Sequence, residues 1–198
     1  IAGQRLAGIA HGIASIAAPM FKKLSLELGG KNPNIIFADC DYDKMLATTL
    51  NSSFANQGQI CLCGSRIFVE RKIYDKFKTD FVAKTKELIV GDPLDDKTKV
   101  GAIVSKPHQE KILSYIELAK KEGGKILCGG NQLNLKGEQS AGYYIEPTII
   151  EGLSYDCRTN QEEIFGPVVT ITPFDTEEEA LMMANSTVYG LASIVWTQ

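Results

Sequence analysis

The chain has 198 residues, 44% of them hydrophobic and 23% charged, which are proportions of a globular protein rather than a disordered, collagen-like or coiled-coil one. Its formal charge of −3, with Lys and Arg dispersed among Asp and Glu, leaves no electrostatic footprint for a polyanion, so nucleic acid is not an expected partner. No run reaches the ~18 consecutive apolar residues of a membrane span; the nearest, Ile1 to Phe21, is interrupted by Gln4, Arg5, His11 and Pro19.

The elements follow in order. Leu6, Ile9, Ile13 and Ile16 stripe one face of a helix that Pro19 stops. Lys22 to Leu28 reads as a strand ending at Gly29-Gly30, and Asn34 to Ala38 as a second strand buried on both faces. Asp39 and Asp41 offer caps for a helix with Leu46, Leu50 and Phe54 inward and Gly58 as its stop. Ser65 to Val69 is the next strand. Ile73, Phe77, Phe81 and Leu88 mark a long amphipathic helix, and Val100 to Val104 another strand. Pro107 opens a helix burying Ile112 and Ile116, which Gly123-Gly124 ends before the strand Lys125 to Cys128. Tyr143 to Ile150 is extended, with Pro147 arguing for an edge position. Val168 to Ile171 and Leu191 to Trp196 are further strands, separated by a helix that Thr176 and Glu179 open as a capping box. Such alternation specifies an α/β fold, a mainly parallel sheet flanked by helices.

Five cysteines, Cys40, Cys61, Cys63, Cys128 and Cys157, are an odd number in a chain large enough to need no staples. Reduced thiols and a cytoplasmic location are expected. His11 and His108 lie far in sequence from the cysteines, and Cys61-Leu62-Cys63 is too tightly spaced for a zinc knuckle, so no metal site is expected. Neither a phosphate loop nor a complete Gly-x-Gly-x-x-Gly fingerprint is present.

Two groups stand out. Glu27 interrupts a largely apolar strand end before two glycines, where burial would raise its pKa and suit it to general-base work; the alternatives are a solvent-facing carboxylate or a pair with Lys31. Cys61 follows the polar, Gly-containing end of a helix, in the loop before a strand. A free thiol of pKa ~8.5 is mostly protonated at pH 7, so a nucleophilic role needs help, and a small buried hydrophobe is the plainer reading.

Leu26-Glu27-Leu28-Gly29-Gly30-Lys31-Asn32-Pro33, Asn56-Gln57-Gly58-Gln59-Ile60-Cys61 and Glu162-Glu163-Ile164-Phe165-Gly166-Pro167, in this order, resemble the NAD(P)-dependent aldehyde dehydrogenase superfamily. The resemblance runs from about Pro19 to Gln198 and takes in Gly91-Asp92-Pro93 and Tyr189-Gly190-Leu191. It implies oxidation of a small-molecule aldehyde by NAD or NADP. Cys61 would form a thiohemiacetal and then a thioester, and Glu27 would serve as general base for hydrolysis. Glu163 would hold the nicotinamide ribose, with Phe165 flanking the ring and Leu28 and Gly29 supplying backbone beside it. It further implies that residues 1–30 are a remnant of the dinucleotide-binding domain and residues 31–198 an incomplete catalytic domain, in a chain cut at both ends. The full-length protein would be a homo-oligomer. The nearest branch oxidises hydroxy- or amino-substituted muconic semialdehydes. Competing readings are a thiol esterase without cofactor and a non-catalytic structural fragment.

Overall fold

The structure, a computed structural model, describes residues 2–198, with side chains from residue 8 onward. Helix α1 (Ala2–Ala17) forms as its spacing predicts, but Ile9, Ile13 and Ile16 are exposed on it. The strand expected over Lys22 to Leu28 is not formed. Leu24, Leu26 and Leu28 alternate as in a strand, yet they are exposed and the segment pairs with no strand among the described residues. Alternation supplies a preference for a pleated surface; only a neighbouring strand can take up its N–H and C=O groups.

From there the alternation is regular. Strand β1 (Pro33–Ile36) leads to α2 (Tyr42–Phe54), where the Asp41 carboxylate accepts the Lys44 N–H at 3.2 Å. Strand β2 (Arg66–Glu70) runs directly into α3 (Arg71–Lys86), which buries Phe77 and Phe81. A small parallel ribbon of β3 (Ile89–Val90) and β4 (Thr98–Val100) follows, so the strand expected over Val100 to Val104 instead ends at Val100. Helix α4 (Lys106–Lys121) starts at Ser105, whose hydroxyl accepts the His108 N–H, with Pro107 in the first turn where no N–H is needed. The remaining elements are β5 (Lys125–Cys128), β6 (Gln132–Leu133), β7 (Tyr144–Ile145), β8 (Thr148–Glu151), α5 (Arg158–Gln161), β9 (Val168–Phe174), α6 (Glu177–Ala184) and β10 (Ile194–Trp196).

Six strands form the main sheet in the order β10-β1-β2-β9-β8-β5, parallel throughout except for β5 against β8. Because β8 lies inside the sheet, the edge position expected around Pro147 is not observed. Pro147 breaks the extended stretch between β7 and β8, and the ladder resumes at Thr148, whose N–H reaches Pro167 O at 2.8 Å. The edge falls to β5. Alternate residues feed opposite faces. Ile36, Ile67 and Val69 pack with Met45, Phe54, Phe77 and Phe81 under α2 and α3, whereas Ile35 and Phe68 meet Phe174, Ala180 and Met183 under α6. Ile112 and Ile116 of α4 bury Ile150 and Val168. No helix among the described residues is long and apolar enough to cross a membrane.

Candidate active site

In a parallel sheet every strand starts at the same edge. The segments that lead into β1, β2, β9 and β10, which are 30–32, 60–65, 163–167 and 189–193, therefore converge, although they are far apart in the sequence. Asn32, 2% exposed, ties three of them together. Its Nδ2 donates to Cys61 O at 2.7 Å and Cys63 O at 3.1 Å, and its Oδ1 accepts from the Ala192 N–H at 3.2 Å. The site thus lies at the amino ends of the strands, the edge opposite to the one used for ligands in open doubly wound sheets.

The approach to Cys61 is strained. After α2 the chain turns through Asn56, Gln57 and Gly58, all left-handed with φ of 48°, 58° and 66°. For Gln such a conformation is costly and persists only where surroundings impose it. Here Gln57 Nε2 donates to Ala102 O at 3.1 Å, Asn56 Nδ2 to Gln59 O at 3.1 Å, and Gln59 Oε1 accepts the Val104 N–H at 3.2 Å. Gly58 is obligatory on two counts, its φ and its contact: a Cβ there would stand 2.2 Å from Gly166 O. The opposing wall is strained too, with Phe165 at φ 61°. Helix α4 braces that wall. His108 Nε2 lies 2.6 Å from Phe165 O, and Lys111 Nζ donates to Glu163 O at 2.9 Å and Ile164 O at 3.1 Å.

Between these walls is a narrow cleft lined by Gly30, Ser53, Cys61, Cys63, Glu163 and Phe165, among others. Cys61 and Phe165 are half-buried, and Glu163 is 6% exposed with Oε1 accepting the Gly30 N–H at 2.9 Å. The fit at Gly29 is tight, since a Cβ there would meet Glu163 Oε2 at 2.3 Å. Its neighbour Glu162 turns outward to Arg158, which pulls its carboxyl down to about 2. The Cys61 carbonyl is held by Asn32, while its N–H has no partner among the described hydrogen bonds.

Three comparisons bear on this arrangement. Residues 7–198 match the aldehyde dehydrogenase family. The chain belongs to the aldehyde dehydrogenase family. It is 50% identical over 191 residues to a mouse 2-aminomuconic semialdehyde dehydrogenase, covering 96% of this chain and 39% of the relative. A bovine relative of the same name is 50% identical over 190 residues, covering 95% and 39%. A betaine aldehyde dehydrogenase variant from Staphylococcus aureus, solved with NAD+ and a β-mercaptoethanol-modified cysteine, superposes with a TM-score of 0.90 at 40% identity, covering 96% of this chain and 39% of that one. The chain therefore spans about two fifths of the length of the relatives it matches.

Against that family the structure sorts the sequence-derived residues. Cys61, Glu163 and Phe165 share one cleft, and Gly29 packs on Glu163. Leu28 is 37% exposed beside it. The burial expected of Glu27 is corrected: it sits on the unpaired stretch before Gly29-Gly30 and is exposed. His108, whose distance in sequence from the cysteines excluded it as a metal ligand, is half-buried against Phe165; burial lowers its pKa more than the Phe165 carbonyl raises it. Asn32, Lys111 and the Gln57 turn were not singled out from sequence. The i, i+3 spacing of His108 and Lys111 puts them on one helix face, a signal that a solvated face shares.

Proposed function

We propose that this protein oxidises an aldehyde to a carboxylic acid with NAD or NADP, using Cys61 as nucleophile and Glu27 as general base. The observation that carries it is the Cys61 thiol, held on a strained helix-to-strand turn and facing a cleft shared with a buried carboxylate and a half-buried aromatic ring. The Cys61 sulfur attacks the carbonyl carbon, and the Cys61 N–H receives the developing oxyanion. A bound nicotinamide supplies the hydride acceptor. The thioester left on Cys61 is hydrolysed by water that Glu27, on the unpaired segment leading to Gly30, deprotonates.

The residues present suit the nicotinamide end of a dinucleotide. A carboxylate has about four lone-pair positions; one of those on Glu163 goes to Gly30 N–H, leaving others for ribose hydroxyls. Phe165 offers a ring face, and Leu28 and Gly29 offer backbone. Nothing in this sequence offers a pyrophosphate loop. Calorimetry on the 198-residue chain is therefore expected to show no measurable dinucleotide binding; tight binding would show that residues 1–30 do more than adjoin a nucleotide domain. The exposed Ile9, Ile13 and Ile16 of α1 support assigning residues 1–30 to that domain and 31–198 to the catalytic one. The substrate we infer is a muconic-type semialdehyde, from the names of the relatives.

In the full-length protein, Glu27→Gln should leave one round of hydride transfer and slow acid release, giving a burst of reduced cofactor without steady turnover. Equal loss of both phases would move the base to another residue.

A further inference from the structure

We propose that Asn32 is the positioning residue of the Cys61 loop, the side chain that fixes where the thiol stands in the cleft. This role rests on Cys61 being the nucleophile. Asn32 is built as a fixed point. It precedes Pro33, whose ring restricts the residue before it to extended backbone. Its own carbonyl accepts the Arg66 N–H at 3.3 Å, and the Lys31 carbonyl before it accepts Arg66 Nε at 2.9 Å. The backbone is thereby tied to the start of β2, beyond the loop, and the buried side chain reaches back across it. A side-chain amide has two N–H donors. Asn32 uses both on this loop, at the carbonyls of Cys61 and Cys63. Among the described hydrogen bonds, these two alone join residues 61–64 to another segment; those from Cys63 N–H to Ile60 O and from Ser65 N–H to Cys63 O are local.

Upstream, Gln57 and Gln59 clamp the strained turn to Ala102 and Val104. Downstream, Asn32 holds the peptide that follows Cys61. Residues 60 and 61 are thus suspended between two clamps, and the bond to the Cys61 carbonyl sets the direction in which its side chain leaves the backbone. The same short segment holds the opposite wall. Gly30 N–H binds Glu163 Oε1 at 2.9 Å, and a Cβ on Gly30 would stand 2.7 Å from Cys61 O. One three-residue span, 30–32, therefore sets the thiol against the carboxylate. Such precision matters because a misplacement of ~1 Å can cost about 10²-fold in rate. An acceptor cannot replace the amide nitrogen. Aspartate at position 32 keeps an oxygen for the Ala192 N–H but sets a carboxylate oxygen against the carbonyls of Cys61 and Cys63.

Asn32→Asp and the shorter Asn32→Ser test the role by two readouts. In the 198-residue chain, thiols are labelled with limiting iodoacetamide and the tryptic peptides 32–44 and 45–66 are weighed, with fragment masses separating Cys61 from Cys63. Cys40, beyond the other end of β1, is the reference. Both variants should raise labelling of Cys61 and Cys63 at least about threefold relative to Cys40, because a loop without its two ties opens more readily. In the full-length protein, single-turnover hydride transfer should fall about 10²-fold, while KM for the aldehyde changes little. A thiol that alkylates faster yet reacts more slowly with substrate has lost its position and not its reactivity. Parental labelling of Cys61 would overturn the proposal, and so would a rise shared equally by Cys40 in both variants, which marks general unfolding. Cys61→Ser tells the remaining failures apart. Hydride transfer lost there but parental in Asn32→Asp would overturn the positioning role alone, whereas transfer persisting in Cys61→Ser would overturn the nucleophile assignment and, with it, the role for Asn32 in the reaction.

Discussion

Cys61→Ser in the full-length protein should abolish aldehyde oxidation, lowering kcat/KM by at least about 10³-fold with little change in stability. A serine hydroxyl reacts only when a base takes its proton, and the cleft around position 61 contains no histidine; its lining is glycine, serine, cysteine, apolar residues and the Glu163 carboxylate. That carboxylate is already engaged with Gly30 N–H. The fold should tolerate the change because the turn is held by Gln57, Asn56, Gln59 and Asn32, none of which bonds to the sulfur. Reduced-cofactor absorbance measures the loss, and a urea midpoint matching the parent excludes unfolding. Cys63→Ser under reducing conditions is the control and should keep most of the activity. Turnover persisting in Cys61→Ser would place the nucleophile elsewhere.

Helices were legible where a 3.6-residue period met a cap. Asp41, Ser105 and Thr176 each accept the N–H three residues on, at or next to the predicted start. Strands buried on both faces were legible as short apolar runs, and β5 was read with its exact bounds. What failed was pairing: Leu24, Leu26 and Leu28 carry a strand pattern, but whether a neighbour exists is a non-local fact. The site follows the same rule. Arg66 registers against Thr170 across β2 and β9, so the residues just before them, Cys61 to Ser65 and Glu163 to Pro167, are brought together over about a hundred positions of sequence. Read alone, Glu162-Glu163 is an acidic turn and Phe165 core packing; only the family resemblance put them beside Cys61. The left-handed Gln57 and Phe165 leave no compositional trace, since glycine is the signature of positive φ and neither is glycine.

Arg66→Met should destabilise the chain by roughly 3–5 kcal/mol, the cost of breaking a buried, fully bonded charged group. The side chain is 1% exposed at the start of β2. Its Nε donates to Lys31 O at 2.9 Å, Nη1 to Met183 O at 2.8 Å, and Nη2 to Ala184 O at 2.8 Å. Two of those acceptors are the last carbonyls of α6, groups with no partner inside their own helix, so the guanidinium acts as that helix's C-terminal cap from another strand. Methionine fills much of the volume but orphans the Lys31 and Ala184 carbonyls, while Met183 O keeps the Ser186 hydroxyl at 2.7 Å. Arg66→Lys should recover only part of the loss, because an ammonium cannot span the fork. A second readout separates charge from packing. Lys31, 2% exposed, has its pKa lowered to about 7 by burial first and by Arg66 second. Between that value and its ordinary 10.5 the unfolded chain binds more protons than the folded one, so this residue makes stability rise with pH across the window. Removing Arg66 should raise the Lys31 pKa and flatten the rise, as seen in urea midpoints between pH 7 and 10. A parental slope in Arg66→Met, or a midpoint unchanged from the parent, would mean that the two buried cations do not interact and that the α6 carbonyls find other donors.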